Sequence, residues 1–246
     1  MRKIVAMGFA LLLCVSVWAG GRPDSLTVLS VDQGNRTLVK SATGIWWPEK
    51  KSPKQATKSG VVVWFHGGMT SGNCEKGLVA GDDFAKLFPD IIVVSASACR
   101  DNHWATGTMV AAIDAALDSV AGKRGSVVGE VSLVGVSDGA LGVMVYSMQG
   151  KRRVKDRLLV SSFGKLLGEA SAVAAGPKMR TGRWRFLQGG ADRLFPADQA
   201  VPWIEGFCRN VGSACDLKFD PQGEHDWSYW REKHLDWIRG AVSSGK

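Results

Sequence analysis

Six short stretches rich in apolar residues recur along this chain with helix-compatible segments between them, and that alternation leaves few folds open. Residues 61–65, Val-Val-Val-Trp-Phe, form an unbroken run of β-branched and aromatic side chains. Residues 91–94, 131–134, 158–160 and 185–187 repeat the pattern, and 217–219 is a shorter candidate. Runs of this length with little polar alternation suit strands covered on both faces, as in a parallel sheet. Two earlier segments, 26–31 and 37–47, flank Gln33-Gly34-Asn35 and read as an antiparallel hairpin. The Lys- and Pro-rich stretch 48–59 reads as an exposed loop. Helices are expected over 84–88, 108–120, 140–148, 198–210 and 227–242; in the second of these Val110, Ile113, Leu117 and Val120 recur at helical spacing. The prediction is one α/β domain with a mostly parallel sheet, helices on both faces and no insertion long enough for a large cap.

The N-terminus stands apart from that domain. Met1-Arg2-Lys3 is basic, residues 4–17 are apolar but short for a bilayer span, and Val17-Trp18-Ala19 ends in small residues where a signal peptidase reads. Residues 1–19 therefore read as a secretory signal peptide, leaving 20–246 as a single domain in the periplasm or outside the cell, with no stable membrane span after cleavage. The competing reading is an uncleaved membrane anchor. Leu13 before Cys14 argues against a lipoprotein, whose processing site wants a small residue there.

Loss of 1–19 removes Arg2 and Lys3 and no acid, so the formal charge falls from +8 to +6. That surplus suits an acidic surface or polymer, but no dense Lys/Arg run with interleaved aromatics is present, and nucleic-acid binding is a poor reading. Lys151, Arg152, Arg153 and Lys155, the densest cluster, read as a solvated loop. Four cysteines remain after cleavage, an even number in a protein bound for an oxidising compartment. Cys208 and Cys215 would staple a helix end to the next strand. Cys74 and Cys99 each follow a strand candidate and lie near one edge of the sheet, so their pairing is the natural hypothesis. No C-x-x-C spacing occurs, and neither a metal nor an organic cofactor is implied.

Gly135-Val136-Ser137-Asp138-Gly139 sits between a strand candidate and a helix candidate. A serine at the tip of such a turn is lifted clear of the sheet, and glycines two residues to either side relieve the crowding. A serine used for acyl transfer needs a base and a group that orients the base. Of four histidines, His225 lies in the polar loop 222–227 between the last strand and the last helix. His234 falls inside the helix that follows and reads as a surface residue. His66 precedes two glycines and reads as shaping its loop, and His103 is a candidate substrate contact. The orienting carboxylate is best assigned to Asp192, which follows a strand end and a Gly-rich turn. Asp198 competes but sits where a helix N-cap is wanted. His66-Gly67-Gly68-Met69, directly after the 61–65 strand, offers backbone N–H donors, and an oxyanion site is expected from Gly68 or Met69 together with Asp138. Trp104 and Trp227 lie near loops on the same side and are candidates for stacking on substrate; Trp230 and Trp237 read as packing residues.

The His-Gly-Gly loop, the turn around Ser137, Asp192 and His225 occur in an order that resembles the α/β-hydrolase family across nearly the whole mature chain. Residues 223–230 are similar to the histidine loop of esterase D and antigen 85-type esterases. The leader, elbow and His-Gly-Gly loop resemble the secreted polyhydroxybutyrate depolymerase and feruloyl or acetylxylan esterase group. The resemblance implies a serine esterase with Ser137 as nucleophile, His225 as base and acid, and Asp192 as the orienting group. The implied substrate is a carboxylic ester, open to attachment to a polymer or carbohydrate. A serine peptidase on the same fold, or an idle hydrolase fold used for binding, are the alternatives.

Overall fold

The structure is a computed structural model that describes residues 13–14, 24–31, 38–48, 51–68, 70–100 and 102–242. Most of the stretch read as a leader, the turn expected at Gln33-Gly34-Asn35, and Met69 lie outside the described residues. The strands are β1 (Leu13–Cys14), β2 (Asp24–Val31), β3 (Leu38–Trp46), β4 (Val61–Phe65), β5 (Ile92–Ala96), β6 (Glu130–Val136), β7 (Arg153–Val160), β8 (Arg183–Gly189) and β9 (Cys215–Asp220). They form one sheet in the order β1-β2-β3-β5-β4-β6-β7-β8-β9. The first three pair antiparallel and β3 joins β5 antiparallel, while β5, β4 and β6 to β9 are parallel throughout. The mostly parallel sheet is the one expected from the pattern, and the whole is the α/β-hydrolase fold that the resemblance implies. The two-residue β1 falls within the stretch read as a leader.

Alternate residues of the central strands feed two separate cores. Val61, Val63 and Phe65 of β4 face one, with Val62 and Trp64 facing the other. The first core is closed by α2 (Gly107–Arg124), α3 (Asp138–Gln149) and α5 (Ala197–Val211), through residues such as Ile113, Met144 and Phe207. The second is closed by α1 (Lys76–Ala85), α6 (Trp227–Lys233) and α7 (Leu235–Val242), through Phe84, Trp230 and Ile238. A short helix, α4 (Ala170–Ala174), packs on α5. Phe65, Trp184 and Trp230 are completely buried, and truncating any one of them to Ala would cost roughly 3–5 kcal/mol. Among the described residues no helix is long and apolar enough to cross a membrane.

Several elements differ from their sequence reading. The helix expected at 84–88 is instead α1, which ends at Ala85. Gly77 and Gly81 break the apolar pattern there because α1 lies so close to β5 that a methyl on Gly77 would strike the Ala96 carbonyl. β7 runs from Arg153 rather than from 158. Its buried Arg157 hides the strand signal, yet every part of the guanidinium is used. Nε donates to Ser147 Oγ at 2.8 Å, Nη1 to the Thr181 carbonyl at 2.6 Å and Nη2 to the Lys178 carbonyl at 3.2 Å, while the group lies 4.4 Å over the Trp184 ring. Arg153 is likewise a strand residue, ion-paired to Glu130 of the neighbouring β6, rather than part of a loop. The single helix expected over 227–242 is broken at His234, whose backbone leaves the helical region at φ −131 and ψ 19. Asp198 is not the cap of α5; Pro196 holds that position and Asp198 is exposed in the first turn, where its charge suits the helix dipole.

Both expected disulfides are present, Cys74–Cys99 and Cys208–Cys215. They close loops of 25 and 7 residues. By chain entropy alone these would contribute roughly 3–4 and 2–3 kcal/mol.

Candidate active site

Three loops at the carboxyl ends of parallel strands meet at one point, the place where open α/β sheets bind ligands. The loop after β6 is a single residue. Ser137 follows Val136 and precedes α3, held at φ 54 and ψ −125, a conformation rare for any residue with a Cβ. Its flanking glycines are there for space. A methyl on Gly139 would overlap the Phe65 carbonyl, and one on Gly135 would overlap the Gly139 backbone.

The loop after β8 carries Asp192, and the loop after β9 carries His225. Backbone bonds tie these loops together: Gly190 N–H donates to the Asp220 carbonyl at 2.8 Å and Ala191 N–H to the Gly223 carbonyl at 3.0 Å. The tie brings the side chains into register. His225 Nδ1 lies 3.1 and 3.0 Å from the two carboxylate oxygens of Asp192, and Nε2 lies 2.9 Å from Ser137 Oγ. Asp192 is buried, and its Oδ1 also accepts from the backbone N–H groups of Leu194 and Phe195, each at 2.9 Å. A buried carboxylate with that much support stays in place and accepts a hydrogen bond from Nδ1–H, which leaves the Nε2 lone pair for the serine hydroxyl.

His66 has another role. Its Nδ1–H donates to the Gly67 carbonyl at 2.9 Å, while Nε2 accepts from Ala98 N–H at 3.0 Å. The ring is therefore fixed as the neutral tautomer. Burial pushes its pKa down to about 4, and the Lys76 ammonium pushes the same way, against the Gly67 hydrogen bond and the charge of Asp138. Gly67 lies against the serine, since a methyl there would come 3.1 Å from Ser137 Cβ. Gly68 has φ +70 and lies beneath the ammonium of Lys76. Asp138 opens α3, whose first N–H groups point back along the helix axis toward Ser137.

Two tryptophans expected at the substrate surface are packing residues. Trp104 is 1% exposed; it donates to the His66 carbonyl at 3.0 Å and packs edge-on against Phe65. Trp227 places its ring 4.9 Å from Trp64 and 6.0 Å from Phe84 in the second core. His103 is exposed and lines a cavity of about 280 Å³ with Thr70, Arg100 and Leu141. Leu141 is one helical turn after Ser137.

Sequence reasoning did not pick out Ser161. This buried residue has φ 51; its Oγ donates to the Glu224 carbonyl at 3.3 Å and accepts from Trp230 Nε1 at 2.6 Å. It props the backbone next to His225, and nothing in a Val-Ser-Ser sequence signals that. His234 is likewise no simple surface residue: Nε2 lies 2.8 Å from Asp220 Oδ2, which also accepts from Tyr229 OH at 2.8 Å. Among the described residues no group of three or more His, Cys, Asp or Glu side chains could hold a metal ion.

No protein-family model matches this sequence, and no curated protein does. Solved structures do match in fold. One is described as a thermostable esterase, with 14% identity and a TM-score of 0.62; the match covers 87% of this chain but 62% of that longer one. A ferulic acid esterase matches at 16% identity and a TM-score of 0.62, over 90% of this chain and 98% of its own. A cold-adapted esterase from an Arctic intertidal metagenomic library matches at 17% identity and a TM-score of 0.60, over 93% of this chain and all of its own.

Proposed function

We propose that this chain, built on the α/β-hydrolase fold, is an exported serine hydrolase that cleaves carboxylic esters through an acyl-enzyme. The observation that carries the reading is the unbroken relay from Asp192 through His225 to a serine on a strained turn, at 3.0 and 2.9 Å. The esterases that share the fold support the same reaction class.

In this mechanism Ser137 Oγ attacks the ester carbonyl as His225 Nε2 takes its proton. Asp192 accepts the Nδ1–H bond and stabilises the imidazolium that forms. The developing oxyanion is assigned to N–H donors from Asp138, at the start of α3, and from Gly68; Met69, the alternative donor of the sequence reading, lies outside the described residues. The imidazolium then returns its proton to the departing alcohol. A water enters, loses a proton to the same nitrogen and attacks the acyl carbon; the imidazolium then gives that proton to Ser137 Oγ as it leaves, and the acid is released. The strained φ of Ser137 keeps Oγ between base and substrate with no rearrangement before attack.

The test is hydrolysis of 4-nitrophenyl esters, from acetate to a long acyl chain, by residues 20–246 and by Ser137→Ala. Turnover by the intact protein and a drop of at least about 10⁴-fold in kcat in the variant are expected. Equal rates for the two proteins, with no fluorophosphonate label on Ser137, would mean that the fold is idle and serves binding.

A further inference from the structure

The cavity that Leu141, one helical turn past Ser137, helps to line has an uneven chemistry. Leu141, Leu166 and Leu167 give it apolar walls, and Arg100, His103 and Thr70 give it polar groups. Ala105 N–H donates to His103 Nδ1 at 3.3 Å, so in the neutral ring Nε2 carries the proton and is a donor. Arg100 is anchored by its backbone, its N–H donating to the Ser71 carbonyl at 2.9 Å. Its side chain is exposed and, among the described residues, makes no ion pair or hydrogen bond. No Asp or Glu lines the cavity among the described residues. A second cation, Lys76, lies over Gly68 of the adjoining loop. Lys76 and Arg100 flank the two ends of one disulfide, Cys74–Cys99, which holds the loops that carry them together.

A pocket with largely apolar walls, whose polar side chains offer mainly donors and positive charge, asks for the reverse in its ligand. That ligand is an aliphatic or aryl group ending in an acceptor-rich anion. We propose that this cavity is a subsite for esters bearing a carboxylate, which Arg100 and His103 hold while Leu141, Leu166 and Leu167 cover the carbon chain. The proposal rests on the esterase reading and names the substrate class for that site.

The experiment compares two matched pairs. Mono-4-nitrophenyl glutarate against 4-nitrophenyl pentanoate puts the charge on the acyl side. 4-Carboxyphenyl butyrate against 4-carbamoylphenyl butyrate puts it on the alcohol side. The intact protein should prefer the anion in one pair by about tenfold in kcat/KM, which identifies the side that occupies the cavity. Arg100→Gln should erase the preference, mainly through KM, and Arg100→Lys should keep part of it. Lys58→Gln, which loses the same charge on an exposed turn, should leave it intact. No preference in either pair, or a preference that survives Arg100→Gln, would overturn the proposal.

A second arm does not depend on turnover. Calorimetry should show that 4-phenylbutyrate binds Ser137→Ala more tightly than 4-phenylbutanamide does, and that adding Arg100→Gln removes the difference. Acid binding without turnover of any ester would uphold the subsite and sink the esterase reading. Turnover of neutral esters with no selective acid binding would do the opposite.

Discussion

At the scale of single residues, the site depends on side chains locked into one protonation state by the backbone. His66 shows this best, because its ring is wired between two main-chain groups and has no room for a second proton. Its folded pKa, about 4, lies below the unfolded value of 6.5. Between those values the unfolded chain binds a proton that the native state refuses, so stability falls as pH drops through that window. Urea denaturation should show a loss of between about 1 and 2 kcal/mol from this one residue between pH 6.5 and pH 5. His66→Gln, which keeps an acceptor for Ala98 N–H, should lack that component; an identical pH slope in both proteins would remove His66 as its source. Ser137, Asp192 and His225 could be named from the sequence because each sits just past a strand in a Gly-containing loop, a local signature. Ser161 could not, because its importance comes from bonds to residues 63 and 69 positions away. Trp104 was misjudged for the same reason: proximity to a loop says nothing about which way a large ring turns.

At the scale of elements, the loop bearing His225 is pinned from both sides. Backbone bonds tie it to the loop after β8, and the His234–Asp220–Tyr229 cluster fastens the end of β9 to the start of the last two helices. The hydrogen bond from His234 is the main cause holding the Asp220 carboxyl below its usual range, with Gln222 N–H and Tyr229 OH adding to it. His234→Ala should therefore loosen the base rather than remove it, lowering kcat on the order of 10- to 100-fold with KM nearly unchanged. Stopped-flow or steady-state rates on one ester would check this; a change confined to KM would show that the cluster serves binding instead. The strands most visible in sequence, such as β4, are those with no charge in them. β7 and α1 were partly hidden, β7 by a buried arginine whose partners lie on other elements and α1 by glycines chosen for close packing. The break at His234 was hidden as well, because a partner 14 residues earlier, on β9, decides where that helix stops.

At the scale of the whole molecule, a mostly parallel sheet with helices on both faces follows from the alternation of apolar runs and helices and was legible in the sequence, whereas the strand order, with β5 between β3 and β4, was not, because alternation along the chain does not say which strands pair. Two disulfides are compatible with an exported protein, and the leader read in residues 1–19 is tested by the processed N-terminus. Intact-mass analysis of the protein recovered after export should give a chain beginning at Gly20 and lighter by four hydrogens than its reduced form. An N-terminus at Met1 would favour the anchor reading instead.

The Cys74–Cys99 bond has a practical consequence for anyone producing this protein. The relay of Ser137, His225 and Asp192 needs no sulfur, so a preparation from a reducing cytosol could be active towards simple neutral esters and pass for intact. The staple between the loops of Lys76 and Arg100 would be missing from it, and with the staple the fixed spacing of those two charges. Assays on such material would test the proposed ester hydrolysis while leaving the proposed preference for carboxylate-bearing esters misreported.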